Sequence, residues 1–134
     1  KNNLINFINQ NKLKNFIQIK GPNKNVYNYL RSADLFILSS KYEGLPNVLL
    51  EALTLNKFVI STNCPTGPKE ILLNGNGGLL FNIGDHNQLT KKIFYYFKNK
   101  DKCEKKLRVS IKALERFDYN FNLNQYFKIV KRYL

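Results

Sequence analysis

Short apolar runs that alternate with helical patterns constrain the fold of this chain more than any other feature. Residues 34–39 (DLFILS) and 57–61 (KFVIS) have continuously apolar centres, and residues 78–81 (GLLF) form a third, smaller run. Apolar residues recur at helical spacing over residues 47–55 and 67–73. Buried strands that alternate with helices are typical of a parallel sheet covered on both faces. The sequence therefore predicts an α/β fold, a Rossmann-like parallel sheet with flanking helices.

The parts of the chain on either side of this centre are predicted to be mainly helical. Residues 4–13 have helical spacing, and residues 16–19 (FIQI) predict a short strand. Asp85 is a candidate N-cap for a helix that continues to about residue 98. From about residue 102 the pattern is purely helical, which predicts a helical C-terminal tail. The tail carries an apolar stripe of Leu123, Tyr126, Phe127, Val130, Tyr133 and Leu134.

Composition and length exclude several classes of protein. A chain of 134 residues suits one domain, and 43% hydrophobic residues suffice for a globular core. The sequence has no apolar run long enough for a membrane span and no secretory h-region, so a cytoplasmic location is expected. Cys64 and Cys103 stand apart, without metal-ligand spacing. They are predicted to be inert thiols in a reducing compartment, and no metal site is expected.

The charge balance points to anionic partners. The chain has 22 Lys and Arg against 9 Asp and Glu, a net charge of +13. Such an excess attracts phosphates, nucleic acids and anionic membranes. A compositional origin is the alternative, because the lysines are scattered in a chain rich in Asn, Ile, Phe and Tyr. Since no nucleic-acid motif accompanies the charge, we expect no nucleic-acid partner and favour a peripheral contact with anionic lipid at the inner membrane face.

The turn between the first central strand and the helix after it is predicted to bind an anion. In a parallel sheet, ligands bind beyond the carboxyl ends of the strands. Gly44 lacks a Cβ, so its backbone is expected to approach a ligand closely and to adopt unusual dihedral angles. Pro46 is expected to occupy the first position of the helix. The free N–H groups of the first helical turn would then face the ligand, which suits a diphosphate.

Glu51 is the one charged residue in the apolar segment 48–55 (VLLEALTL). Helical side chains lean toward the N-terminus, so this carboxylate points back toward the anion site. It lies about 7–8 Å along the axis from Pro46, roughly the distance from a diphosphate to the ribose hydroxyls. A carboxylate accepts two hydrogen bonds from such a diol. A solvated position on a polar stripe with Asn47 explains Glu51 equally well on spacing alone.

The segment 43–52 (EGLPNVLLEA) resembles the E-x7-E motif of the family 4 glycosyltransferases, retaining enzymes with two Rossmann-like domains in the GT-B arrangement. The neighbouring segments are similar to the family's in the same order, and the resemblance extends from about Leu13 to Phe97. These segments are residues 32–40 (SADLFILSS), 58–62 (FVIST), 63–72 (NCPTGPKEIL), 77–81 (GGLLF) and 84–85 (GD).

The resemblance implies a role for each matching residue. Glu43 is the candidate catalytic residue and would contact hydroxyls of the transferred sugar. The backbone at Gly44, Leu45 and Pro46, with Asn47, would hold the diphosphate and sugar, and Glu51 would bind the ribose. Gly21 and Pro22 fall where the family seats the base. Glu70 would support the site from the next loop, although a favourable charge at a helix N-terminus explains it nearly as well. His86 is expected to be a surface residue.

The resemblance also implies an architecture and a set of partners. Residues 1–134 would form one C-terminal nucleotide-sugar-binding domain, half of a GT-B fold, without the N-terminal acceptor domain and the first part of this domain. The substrate would be a nucleotide-sugar, UDP-sugar first among the candidates, with no metal or other cofactor. The acceptor would be a glycan or a lipid-linked sugar in surface polysaccharide synthesis. The apolar C-terminal stripe resembles a helix that crosses onto the other domain, so it is expected to be partly uncovered.

Three alternatives stay open on the sequence. The chain could be a nucleotide-sugar-binding module without activity on its own, which acceptor-dependent turnover would exclude. It could be half of a nucleotide-sugar epimerase of the same architecture, although the E-x7-E segment argues against this. A basic nucleic-acid-binding domain would show a steep salt dependence of binding to random duplex.

Overall fold

In the part of the chain that the structure describes, three parallel strands form a sheet. The computed structural model describes residues 2–22 and 25–133. Strand β1 (Leu35–Leu38) pairs with β2 (Phe58–Thr62), and β2 pairs with β3 (Leu79–Phe81), so the order is β1-β2-β3. All the pairs are parallel, with Leu35 opposite Phe58 and Ile60 opposite Leu79. The predicted α/β fold with a parallel sheet is confirmed.

Helices surround this sheet. Two 3₁₀ segments, Leu73–Gly75 and Ala113–Phe117, interrupt them. The α-helices are α1 (Asn2–Gln10), α2 (Tyr27–Ser32), α3 (Asn47–Thr54), α4 (Pro68–Ile71), α5 (His86–Lys98), α6 (Lys100–Lys112) and α7 (Tyr119–Val130).

The core lies on both faces of β2, whose five residues are all buried. On one face Val59 belongs to a cluster with Leu49 and Leu53 of α3. On the other face Phe58 and Ile60 belong to a second cluster, with Phe81, Tyr96 and Cys103. Burial of such apolar side chains contributes roughly 1.5–3 kcal/mol for each large one. Strand β2 is therefore the element around which the other elements pack.

The prediction that β1 is a buried strand is wrong in part. Leu35, Phe36 and Leu38 are half-buried, and Ile37 is exposed at 36%. In the described part of the chain, β1 is an edge strand that pairs with β2 alone. A strand with one lateral neighbour remains partly exposed, and the backbone groups along its free edge have no hydrogen-bond partner within the sheet.

The predicted strand at residues 16–19 is absent from the structure. Phe16 is 83% exposed, and the backbone N–H groups of Phe16 and Ile17 both donate to the carbonyl of Leu13, at 3.0 Å. These bonds form a turn instead of a ladder with a neighbouring strand. Apolar residues alone do not make a strand, because each strand needs a partner for its backbone groups.

The C-terminal half agrees with the pattern in the sequence. The Asp85 side chain accepts a hydrogen bond from the backbone N–H of Gln88 at 2.8 Å, which confirms the predicted N-cap, and α5 ends at Lys98 as expected. Tyr126 and Phe127 of α7 are 66% and 53% exposed, so the apolar stripe is uncovered as predicted. Leu134, which was assigned to this stripe, lies outside the described residues.

Both cysteines are buried free thiols. Burial raises the pKa of the Cys103 thiol, while the charges of Lys106 and Lys100 lower it by a smaller amount. Among the described residues, no helix is both long and apolar enough to cross a membrane.

Candidate functional site

The loops after β1 and β2 meet at the carboxyl edge of the sheet. The Thr62 hydroxyl, at the end of β2, donates to the carbonyl of Ser40 at 2.7 Å. The Thr66 hydroxyl donates to the carbonyl of Glu43. These two bonds join the loop of residues 39–46 to the loop of residues 63–67, so the start of α3 has a fixed position above the sheet.

Gly67 supports this loop through a close backbone contact. Its φ is +79°, and a Cβ at this position would lie 2.0 Å from the carbonyl oxygen of Gly44 and 2.5 Å from Cδ of Pro46. A side chain here would displace the 44–46 turn. Gly67 and Thr66 were not among the site residues predicted from the sequence. The feature that could have indicated them is the turn-forming segment 63–68 (NCPTGP), which directly follows a buried strand.

The N-terminus of α3 begins at this loop without a side-chain cap. Pro46 is the N-cap residue, buried and extended (φ −72°, ψ 99°), so the prediction that it occupies the first helical position is wrong by one residue. The backbone N–H of Leu49 donates to the Pro46 carbonyl at 2.9 Å. The N–H groups of Asn47 and Val48 precede the first α-helical bond and have no acceptor inside the helix. They provide donors and a partial positive charge for an anion.

Gly44 differs from the expectation in one respect. Its φ lies outside the left-handed region, so the unusual dihedral angles expected for it are absent. No atom lies within 4 Å of the position that a Cβ would occupy. A ligand can therefore approach the backbone of Gly44 closely, which is the second property that was expected of this glycine.

Glu51 lies on the flank of α3 that faces α2. It is half-buried, and the Tyr27 hydroxyl donates to its Oε1 at 3.5 Å, near the outer limit of a hydrogen bond. Both residues line a cavity of about 370 Å³ together with Asn47, Leu50, Thr54 and Leu55. Asn47 and Glu51 thus share one face, and that face borders a cavity. Tyr27 was not assigned by the sequence analysis, because only the fold brings residues 27 and 51 together.

Gly21 and Pro22 line a second cavity, of about 640 Å³, on the other side of α2. Val48 of α3 borders it as well, so the first turn of α3 contributes to both cavities. The remaining lining is largely apolar: Lys20, Val26, Tyr29, Leu30, Ala33 and Phe36. The structure thus brings Gly21 and Pro22 to the same helix as Glu51.

The other candidates lie around the loop. Glu43 is half-buried and Leu45 is 49% exposed. Glu70 is exposed in the first turn of α4, and its carbonyl accepts from the Arg116 guanidinium at 3.3 Å. His86 is exposed at the first position of α5, as expected for a surface residue. The described residues include no group of three or more His, Cys, Asp or Glu that could hold a metal ion.

The family model described as "Glycosyl transferases group 1" matches residues 1–123, which is most of the chain. The chain belongs to the group 1 glycosyltransferases. Relatives of this glycosyltransferase chain include a glycosyltransferase of Methanocaldococcus jannaschii, 49% identical over 72 residues. The amylovoran biosynthesis glycosyltransferase AmsD of Erwinia amylovora is 38% identical over 72 residues. Both matches cover 54% of this chain.

Solved structures identify the fold as that of a GT-B glycosyltransferase. A glycosyltransferase from Rickettsia africae is similar with a TM-score of 0.84 and 27% identity, over 98% of this chain and 35% of that one. The Anabaena protein HepE, solved in complex with UDP, has a TM-score of 0.84 at 19% identity, over 99% of this chain and 36% of its own. The C-terminal domain of a Francisella tularensis group 1 glycosyltransferase has a TM-score of 0.70 at 20% identity, over 86% of this chain and 60% of its own. This glycosyltransferase chain spans 18% and 20% of the length of the Methanocaldococcus and Erwinia relatives.

Proposed function

We propose that this chain binds the nucleoside-diphosphate sugar donor, a UDP-sugar, of a retaining hexosyl or N-acetylhexosaminyl transfer. The observation that carries the proposal is the uncapped N-terminus of α3, which lies beside the cavity lined by Glu51 and Tyr27. Donors for an anion and an acceptor for a diol thus occur on one helix, at the carboxyl edge of a parallel sheet. The relative HepE, whose structure holds UDP, supports the choice of nucleotide.

Each part of the donor has a counterpart on the surface around α3. The diphosphate binds to the N–H groups of Asn47 and Val48 and to the backbone at Gly44, where open space allows close approach. The ribose hydroxyls donate to Glu51, about 7–8 Å along the helix from Pro46. The base occupies the cavity lined by Gly21 and Pro22.

Bond cleavage depends on charge that develops on the departing diphosphate. As the bond between the anomeric carbon and the phosphate oxygen breaks, negative charge grows on the diphosphate, and fixed backbone N–H groups stabilise that charge. Glu43 and Leu45 lie on the loop before α3, where they contact and orient the transferred sugar. Glu70 supports the site from α4. The anomeric configuration is retained in this proposal.

A glycan or lipid-linked sugar is the proposed acceptor, in surface polysaccharide synthesis at the cytoplasmic face of the membrane. The Erwinia relative is named for amylovoran biosynthesis. A Campylobacter jejuni relative, 28% identical over 89 residues, is named for transfer onto a sugar diphospho-undecaprenol. That match covers 66% of this chain and 24% of the relative. Since our chain matches only part of its relatives, we expect it alone to bind the donor without transferring the sugar, which acceptor-dependent release of UDP would contradict.

Calorimetric titration of the chain with UDP, GDP and UDP-N-acetylhexosamines tests donor binding. We expect saturable binding of uridine nucleotides, weakened about 10- to 100-fold by Glu51→Ala, because a hydrogen bond to a charged group is lost. Glu115→Ala is the matched control, since this carboxylate is exposed on the 3₁₀ segment that precedes α7. Equal affinity of the Glu51 variant and the parent chain would refute the ribose role, and a preference for GDP would refute the choice of base.

A further inference from the structure

Two phenylalanine rings project from the outer face of α5. Phe94 is 62% exposed and Phe97 is 57% exposed, and a spacing of three residues places them on the same side of the helix. The adjoining side of α5 packs Leu89, Ile93 and Tyr96 against β2 and β3, and the Phe97 ring contacts the Tyr96 ring edge-on, with the ring centroids 5.2 Å apart. Since a phenylalanine ring has no polar atom to contact water, both rings would be more stable in an apolar or interfacial environment.

Lysines flank these rings. Lys91 and Lys98 lie three residues before and four residues after Phe94, so they border it on the helix surface. The Lys100 ammonium lies 4.7 Å from the centroid of the Phe97 ring and 3.6 Å from that of Tyr96. We call Lys91, Phe94, Phe97, Lys98 and Lys100 the basic aromatic face. Asp101 is the acidic residue nearest to this face in the sequence.

The positive charge of this region far exceeds the charge of its acids. Residues 86–112 contain nine Lys and Arg against two Asp and Glu, and residues 86–98 contain no acid. The uncovered stripe on α7 carries fewer charges, because Lys128, Lys131 and Arg132 are the charged residues between Tyr119 and Tyr133. Exposed aromatic rings thus coincide with a higher density of positive charge on α5 than on α7.

We propose that the basic aromatic face binds peripherally to the surface of an anionic lipid bilayer. Rings that lack hydrogen-bonding groups would enter the boundary between headgroups and acyl chains, while the lysines would bind the anionic headgroups through long apolar stems. Each lysine near such a surface strengthens binding by about five-fold. The combination suits a lipid surface more than a nucleic acid, for which the same face would need a groove along which the phosphate backbone could run.

The position of this face leaves the carboxyl edge of the sheet free. Asp85 caps α5 just after β3, at the carboxyl edge. Near the other end of the helix, the Tyr96 hydroxyl donates to the carbonyl of Asp34 at 2.6 Å, and Asp34 immediately precedes β1. Phe97, Lys98 and Lys100 therefore lie at the amino edge of the sheet, away from the start of α3. Membrane contact through this face is independent of the proposed donor site and would not cover it.

Flotation with vesicles tests the lysines. We expect the 134-residue chain to bind vesicles of phosphatidylcholine with about 30% phosphatidylglycerol and not to bind vesicles of phosphatidylcholine alone. The triple variant Lys91→Gln, Lys98→Gln, Lys100→Gln should bind on the order of a hundred-fold more weakly. The matched control, Lys12→Gln, Lys14→Gln, Lys131→Gln, removes the same charge from exposed positions elsewhere. Equal weakening by both triples would overturn the proposal, because net charge alone would then explain binding.

A tryptophan reporter tests the rings. The chain contains no Trp, so Phe94→Trp introduces a single reporter on the proposed face, and Phe127→Trp does the same on α7. We expect the anionic vesicles to shift the emission of the Phe94→Trp variant to the blue and brominated acyl chains to quench it, with little change in the Phe127→Trp variant. Quenching in the Phe127→Trp variant alone would overturn the proposal. The proposal would also be overturned if a random single-stranded oligonucleotide displaced the vesicles and itself shifted the emission of the Phe94→Trp variant.

Discussion

Gly67 controls the loop at the start of α3 although it lies 23 residues from Gly44 in the sequence. Two properties make a side chain unfavourable there. Its φ of +79° strains any residue with a Cβ, and the Cβ would overlap the Gly44 carbonyl at 2.0 Å. Gly84 has almost the same φ, +76°, but nothing within 4 Å of the Cβ position. Gly67 also has a ψ of −75°, outside the left-handed helical region, so backbone strain and the Gly44 contact both make a side chain unfavourable there.

Substitution of these glycines should have unequal effects. Gly84→Ala should destabilise the chain by roughly 1–2 kcal/mol, the cost of the left-handed conformation. Gly67→Ala should cost about 1–3 kcal/mol more, because the overlap forces the backbone to move, and should also weaken UDP binding. Urea denaturation gives both free energies of unfolding. Equal losses in the two variants would mean that the Gly44 contact is not a constraint.

At this scale, the sequence identifies residues whose role depends on neighbours in the chain. The roles of Glu43 and Glu51 were predicted from the resemblance to the E-x7-E motif, which is visible in the sequence because one turn and one helix contain all of it. Tyr27 and Gly67 could not, since their contacts depend on how α2 and the loop after β2 pack beside α3. The roles of Glu43 and Glu51 as donor-binding residues remain predictions.

Elements are predictable from the sequence where local signals and packing agree. Helix α5 has an N-cap, an apolar stripe and a defined end, and it forms where the pattern places it. The run at residues 16–19 has apolar residues but no partner strand in the described chain, and it forms a turn. Burial of β1 was overestimated for the same reason, because a run of apolar residues does not show how many neighbours a strand has.

Two N-caps should contribute differently to the stability of the chain. Asp85 and Asp118 both accept a backbone N–H at 2.8 Å, but α5 packs against the sheet while α7 has no buried residue. Asp85→Ala should lower the free energy of unfolding by about 1 kcal/mol. We expect Asp118→Ala to lower it by less than half of that, because α7 can fray without loss of the core. A larger effect from Asp118 in urea denaturation would show that α7 is part of the cooperative unit.

The whole molecule has an uncovered apolar surface on its C-terminal helix. Tyr126 and Ile129 are 66% and 55% exposed and line an open groove of about 660 Å³ with Phe117, Tyr119 and Leu123. Surfaces of this kind are favourable for association. The three strands of the sheet and their parallel arrangement could be predicted, because each strand is a short apolar run between helical patterns.

Self-association through α7 follows from this surface. Sedimentation velocity should show concentration-dependent association of the chain at hundreds of micromolar. Phe127→Ser with Ile129→Asn should weaken it by at least about ten-fold, since even partial burial of two large apolar side chains is lost. Phe94→Ser, which removes an exposed ring from α5, should have little effect. A parent chain that stays monomeric throughout the range would contradict the expectation.

Amide NMR shows whether the first turn of α3 binds the diphosphate. UDP and uridine would each be titrated into ¹⁵N-labelled chain while the backbone amides are followed. We expect UDP to shift the amides of Asn47 and Val48, which lie at the uncapped helix start, and uridine, which lacks the phosphates, to leave them unchanged. Saturable UDP binding that shifts other amides and leaves those two unmoved would contradict this expectation.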